Sequence, residues 1–238
     1  MGRLLDFANR VAFGALRDSI PENDAEDIDD DWEERFRERV SADFRDLDTW
    51  PRDKEYNWRE FGWPGDKSRA KPKGRIPWER LDTLVLHTTD TGKLGPKRFL
   101  GIPAQGGIDG YGGIVLMHDL NRLLYHAHSA NRFSNGLEVC GRGTITPEQV
   151  EAGRLYIRWW CQTVRFNKAV AAGPPALAPE DIPLHIIPHR HSHWSRRMDP
   201  GPDVWEALGQ WAIEMLPNVT LGRVVGSGQR IPERGQPW

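Results

Sequence analysis

The chain has 238 residues, 38% of them hydrophobic and 28% charged, with a formal net charge of −2. That length supports one full domain plus an extension, and the near-balanced charge gives no global positive field for nucleic acid or an anionic membrane. Two cysteines, Cys140 and Cys161, are too few for a disulfide framework and read as buried reduced thiols.

Residues 3–17 place Leu4, Leu5, Phe7, Ala8, Val11, Ala12 and Leu16 at helical spacing. This predicts an amphipathic helix that either packs on the main domain or docks on a membrane or partner. Asp6, Asn9 and Arg10 interrupt its apolar character. Neither a signal peptide nor a bilayer span is expected, and the chain is expected to be made in the cytoplasm. The acidic run over residues 21–34 reads as a solvated linker leading into a second helix from about Asp30 to Phe44. It lacks the glycine turn of a calcium loop. Trp50, Trp58, Trp63 and Trp78, set among Pro, Gly and Lys, suggest irregular structure tying the extension to the main domain.

From Leu81 the texture changes. Leu81 to Leu86 is a short apolar strand ending at His87-Thr88-Thr89-Asp90. Gly112 to His118 and Arg122 to His126 are expected to form a hairpin around Asp119-Leu120-Asn121. Gly136 to Cys140 is a further strand. Thr146-Pro147-Glu148 starts a helix, with Thr as N-cap and Pro in the first turn, running to about Phe166. Residues 170–180 read as a loop, Ile182 to Ile187 as the last strand and Asp203 to Leu216 as the last helix. The order predicts a three-layer α/β domain with a central mixed sheet flanked by helices. Its expected span is 76–216, between a helical and irregular extension, 1–75, and a tail, 217–238.

Two places carry chemistry. His87 sits where an apolar strand meets a polar loop, a position that holds a side chain still at the sheet's end. Further on, Pro188-His189-Arg190-His191-Ser192-His193 is followed by Arg197-Met198-Asp199-Pro200-Gly201-Pro202. The clustered histidines alone do not choose a ligand. The Asp-Pro-Gly-Pro run restricts the backbone around Asp199 just before a helix.

Four segments resemble, in order, the motifs of the type 2 N-acetylmuramoyl-L-alanine amidases, the fold shared with peptidoglycan recognition proteins and small phage amidases. Leu84-Val85-Leu86-His87-Thr88-Thr89 is similar to the family's first-ligand strand, His126-Ala127-His128 to its His-Ala-Gly segment, and Gly136-Leu137-Glu138-Val139 to its Gly-Ile-Glu-Leu strand. His189, ten positions before Asp199 (199 − 189), with Pro-Gly-Pro after the aspartate, resembles its closing motif. The similarity runs from about Leu81 to Trp205.

The resemblance implies one zinc ion held by His87, His189 and Asp199. It implies Glu138 as the carboxylate that takes a proton from the attacking water, Arg197 as the cation facing the developing oxyanion, and Tyr111 beside them. It puts His126, His128 and Asn131 at the substrate. The reaction implied is hydrolysis of the amide between N-acetylmuramic acid and L-alanine in peptidoglycan, with the chain expected to be a monomer released to the wall as a phage endolysin. A muropeptide-recycling enzyme and a non-catalytic peptidoglycan-binding module are the alternatives. Three positions depart from the family pattern: Tyr111-Gly112-Gly113 stands where many relatives carry Tyr-His-Phe or similar, His128 replaces a common Gly, and Arg197 stands where many relatives carry a Lys. An Arg for Lys exchange is not neutral, because the guanidinium is planar and keeps its proton.

Overall fold

A computed structural model describes residues 73–90, 99, 102–173, 178–233 and 238, all within one compact unit, Tyr56–Trp238. The helices expected over 3–17 and 30–44, and Trp50, Trp58 and Trp63, lie outside the described residues. Among the described residues no helix is long and apolar enough to cross a membrane.

Six strands form one mixed sheet: β1 (Thr83–Thr88), β2 (Gly106–Ile108), β3 (Ile114–Leu116), β4 (Ser134–Val139), β5 (Leu184–Pro188) and β6 (Val219–Leu221), in the order β3-β2-β4-β1-β5-β6. Only the β2–β3 pair is antiparallel; β2–β4, β4–β1, β1–β5 and β5–β6 are parallel. β1 is nearly all buried, with Leu84, Val85 and Leu86 fully inaccessible. That continuous apolar run is the signature of a central parallel strand covered on both faces. The expected mixed α/β sheet is present. β6 lies past Leu216, in the stretch read as a tail, and extends the sheet beside β5.

One face carries the helices. α1 (Pro147–Ala172) begins with a full capping box: the Gln149 amide donates to Thr146 Oγ1 at 3.3 Å, and the Thr146 amide donates to Gln149 Oε1 at 3.0 Å. Two of the orphan donors at the helix start are thereby satisfied. Gln149 Nε2 also donates to the carbonyls of Asp109 and Cys140, which ties the helix start to the ends of β2 and β4. Deeper in this layer, Trp160 Nε1 donates to Asn135 Oδ1 at 2.8 Å. The last helix, α2, is α-helical over Pro202–Val204, π-wound over Trp205–Gln210 and α-helical again over Trp211–Met215. It packs on α1 where Leu208 fills the space left by Gly153. Cys140 and Cys161 are free and buried, and burial pushes the Cys161 thiol up to about 12.

The opposite face is covered by irregular segments. Val85 and Ile187 pack there with Ala127, Ala130, Phe133 and Val225.

The expected hairpin does not form. β3 pairs with β2, while the segment expected as its second arm turns to the stretch before β1: Ile76 N donates to Asn121 O, and Leu123 N to Gly74 O. β2 carries no strand signal in the sequence, because Gly106 and Gly107 suppress strand propensity. Large aromatics fill both flanks instead. A Cβ at Gly106 would enter the Tyr156 ring, and one at Gly107 would lie 2.6 Å from Phe99.

Candidate metal centre

The parallel register sets the site. His87 on β1 is the register partner of Glu138 on β4, two positions beyond the pair Val85 and Gly136. Val85 pairs on its other side with Ile187 on β5, and His189 follows two residues later in a 3-10 turn, His189–His191. Side chains two apart on a strand share a face. His87, Glu138 and His189 therefore emerge together at the carboxyl ends of three adjacent parallel strands, where open α/β sheets place ligands.

Asp199 enters from the loop before α2. Its main chain is pinned at both ends, with its N–H donating to Arg196 O at 3.0 Å and its carbonyl accepting from Arg190 N at 3.1 Å. Gly201, with φ of +92°, packs against Gly143, where an added Cβ would lie 3.0 Å from the Gly143 Cα. The carboxylate is held as firmly as the backbone. Oδ1 accepts from the Thr88 amide at the end of β1 at 2.9 Å, and Oδ2 lies 2.8 Å from His189 Nδ1.

His87, His189 and Asp199 form the one group of potential metal-binding side chains among the described residues, with one donor atom from each within 4.8 Å of the others. The edges of this triangle are 2.8 Å between the two Nδ1 atoms, 2.8 Å from His189 Nδ1 to Asp199 Oδ2, and 3.8 Å from His87 Nδ1 to the same oxygen. A tetrahedral ion with bonds of about 2.0–2.1 Å needs donor–donor edges of about 3.3 Å. The observed edges bracket that value, so small side-chain adjustments suffice. Two imidazoles and one carboxylate are also the donor set of a hydrolytic zinc site with room left for substrate or water.

The electrostatics favour a cation at this point. Burial alone would depress the His87 imidazole, but the Asp199 carboxylate and the charge of Glu138 raise it above its ordinary value. His189 is pulled down to about 4 by burial and by His87, despite Asp199. Burial opposes ionisation of Asp199, yet the two imidazoles hold its carboxyl well below the usual range. The cluster keeps its carboxylate charged and His189 neutral, as metal ligands need to be, while His87 holds a proton more readily and would release it on binding an ion.

The remaining expected residues are spread around this core. Glu138 is half-buried beside His87. Tyr111 is 54% exposed in the β2–β3 turn, at the end of β2 adjacent to the end of β4. That turn is closed by Asp109 Oδ1, which accepts from the amides of Tyr111 and Gly113 at 2.8 and 2.7 Å. His128 is exposed, held at φ +47°, with its ring stacked on His193 at 3.9 Å and 6.0 Å from that of His189. Asn131 spends its side-chain oxygen on the amides of His126 and Ala127, at 3.0 and 2.7 Å. His126, expected at the substrate, is buried behind His87. Arg197 is exposed. The guanidinium whose charge acts on His87, His189 and His128 is its neighbour Arg196. Sequence reasoning passed over Arg196 and the exposed Trp194, 61% accessible, because neither occupies a motif position.

A family model described as N-acetylmuramoyl-L-alanine amidase matches residues 77–202, which contain every residue of this site. No curated protein sequence matches the chain. Among solved structures, the chain is similar to the endolysin amidase LysCS from Clostridium intestinale URNW, with 16% identity and a TM-score of 0.41 over 56% of this chain and 84% of that one. It is similar to an AmpD derivative at 18% identity, with a TM-score of 0.42 over 63% and 96%. Drosophila peptidoglycan recognition protein SA gives 13% identity and a TM-score of 0.44 over 74% and 95%. With the family match spanning more than half its length, the chain belongs to the N-acetylmuramoyl-L-alanine amidase family.

Proposed function

We propose that the chain is a zinc-dependent amidase that hydrolyses the bond between the lactyl group of N-acetylmuramic acid and L-alanine in peptidoglycan. The observation that carries this reading is the complete His87, His189 and Asp199 set, cross-braced at the strand ends with Glu138 beside it. A module that only binds peptidoglycan has no need for such a set.

His87, His189 and Asp199 would hold the ion. When bound, zinc supplies Lewis acidity, which makes water nucleophilic near neutral pH and offsets negative charge on the amide oxygen. Glu138 accepts the proton from the attacking water as its oxygen bonds to the lactyl carbon. It then gives that proton to the alanine nitrogen as the C–N bond breaks; the new carboxylic acid passes its remaining proton to the released amine, so the products are a carboxylate and an ammonium group. Arg196 and Arg197 contribute positive charge at the rim, where charge builds on the former carbonyl oxygen. Exposed Tyr111 and His128 border the opening and are read as substrate contacts.

Mass analysis of digested sacculi tests this reading. Peptides with a free L-alanine amine, released from intact glycan, are expected, with activity lost to a chelator and restored by zinc. Cleavage at another bond, or lysis indifferent to the chelator, overturns it. We read the physiological setting as lysis of a bacterial wall by an endolysin, with residues 1–75 as an accessory element that favours intact wall. Faster turnover of small soluble muropeptides than of sacculi would move the chain to fragment recycling.

A further inference from the structure

His87 and His189 are not supported alike. The Nε2 atom of His189 is buried and has no hydrogen-bond partner among the described residues. The Nε2 atom of His87 instead meets Nδ1 of His126 at 3.1 Å. The other nitrogen of His126 lies 3.3 Å from both the carbonyl oxygen and the Oγ of Ser134.

The proton positions along this chain follow from what each end can do. A carbonyl oxygen only accepts. The Ser134 hydroxyl has already given its hydrogen to Ala130 O at 2.7 Å, so its oxygen is also an acceptor here. His126 must therefore carry its hydrogen on Nε2. The ring is buried, and its hydrogen-bond partners are an imidazole, a carbonyl and a hydroxyl with no carboxylate among them, so it is neutral and its Nδ1 is a bare lone pair. His87 must then donate from Nε2, which commits its Nδ1, the atom facing His189 and Asp199, to the metal side.

The His126 ring is fixed in this orientation. Asn131 clamps its backbone amide, and the ring lies over Gly136, where an added Cβ would be 2.9 Å from Nδ1. Its plane stands at 72° to that of His87, edge to face. Buried at 7% exposure, it sits on the far side of His87 from the other two ligands and is not placed to meet substrate.

We infer that His126 is a positioning residue: as a neutral acceptor anchored on Ser134, it fixes the tautomer and orientation of His87 and so presents Nδ1 to the metal. Partners behind ligating histidines ordinarily accept through a carboxylate, a carbonyl or water. Here a second imidazole performs that task. The inference rests on the proposed zinc site, but its first test does not need zinc.

In the metal-free full-length chain, nitrogen-15 NMR of the histidine rings is expected to show His126 protonated at Nε2 and bare at Nδ1, with a proton on His87 Nε2. A proton on His126 Nδ1 overturns the inference, whether or not the chain is an amidase. The second test is zinc affinity by competition with a chromogenic chelator. His126→Leu is expected to weaken zinc binding about 10- to 100-fold. His126→Gln should recover most of that loss, since its carboxamide oxygen can accept from His87 while its NH2 donates to Ser134. Melting of the metal-free variants separates lost packing from lost positioning. Equal affinity in the Leu variant and the parent, or a Gln variant as weak as Leu, defeats the proposal. A parent chain that binds no zinc defeats the amidase reading instead and leaves the NMR result standing.

Discussion

The strand-end cluster and the rim around it are built on opposite terms. Each member of the cluster is tied to the central strands: His87 lies on β1, His189 follows β5, and Asp199 is pinned to β1 through the Thr88 amide. The rim residues Tyr111, His128, Trp194 and Arg197 are exposed and lie on turns. Where geometry must be held to fractions of an ångström, the chain uses rigid strands and doubled hydrogen bonds. Where a bulky ligand must be admitted, it uses turns. Substitutions should therefore act steeply in the cluster and shallowly on the rim.

The steepest effect is expected for Asp199→Ala. It removes one ligand and the partner of His189, and leaves the Thr88 amide unmet. Loss of stoichiometric zinc and of all measurable amidase activity is the expected outcome; a variant that keeps its metal would break the comparison at its root. Glu138→Gln comes next. It should keep zinc, because Glu138 is outside the ligand triangle, while kcat falls about 10²- to 10⁴-fold. Loss of metal in that variant would show Glu138 to be a ligand.

Acid should act on the frame before the rim. Burial, with Arg122 adding to it and Asp119 opposing it, lowers His118 to about 4. The unfolded chain takes up that proton near pH 6.5. The contribution is thus fully present above about pH 6.5 and is lost as pH falls toward 4. The thermal midpoint of the metal-free protein should drop between pH 7 and 5, and His118→Gln should shrink that drop. An unchanged drop would remove His118 from the account.

The smallest effects belong to the rim. Arg196→Ala and Arg197→Ala should each retain zinc and lower kcat by no more than about tenfold, in line with screened surface charges. Arg196 is expected to matter more, since its charge acts on both metal-binding imidazoles. A larger loss at Arg197 would restore the motif-based assignment.

Much of this was legible in the chain itself. The apolar run into His87, the Thr146 cap with Pro147 behind it and the amphipathic stretch before Leu216 each became an element within a few residues of its expected place. Their signals are local: burial on both faces, an N-cap and a helical period. The ligand triangle was legible only through motif order, because nothing local brings residues 87, 189 and 199 together.

Tertiary structure decided the rest. β2 exists because Tyr156 and Phe99 occupy the space its glycines leave, and the expected hairpin fails because β2 claims β3 first. Arg196 rather than its neighbour projects charge onto the cluster. His126 stands behind a ligand because Gly136 leaves room for its ring and Ser134 orients it. The sequence by itself determined which side chains have the chemistry for a metal site. Which atoms face that site, and what holds them there, depends on contacts between residues far apart in the chain, and those exist only once the sheet has closed its register.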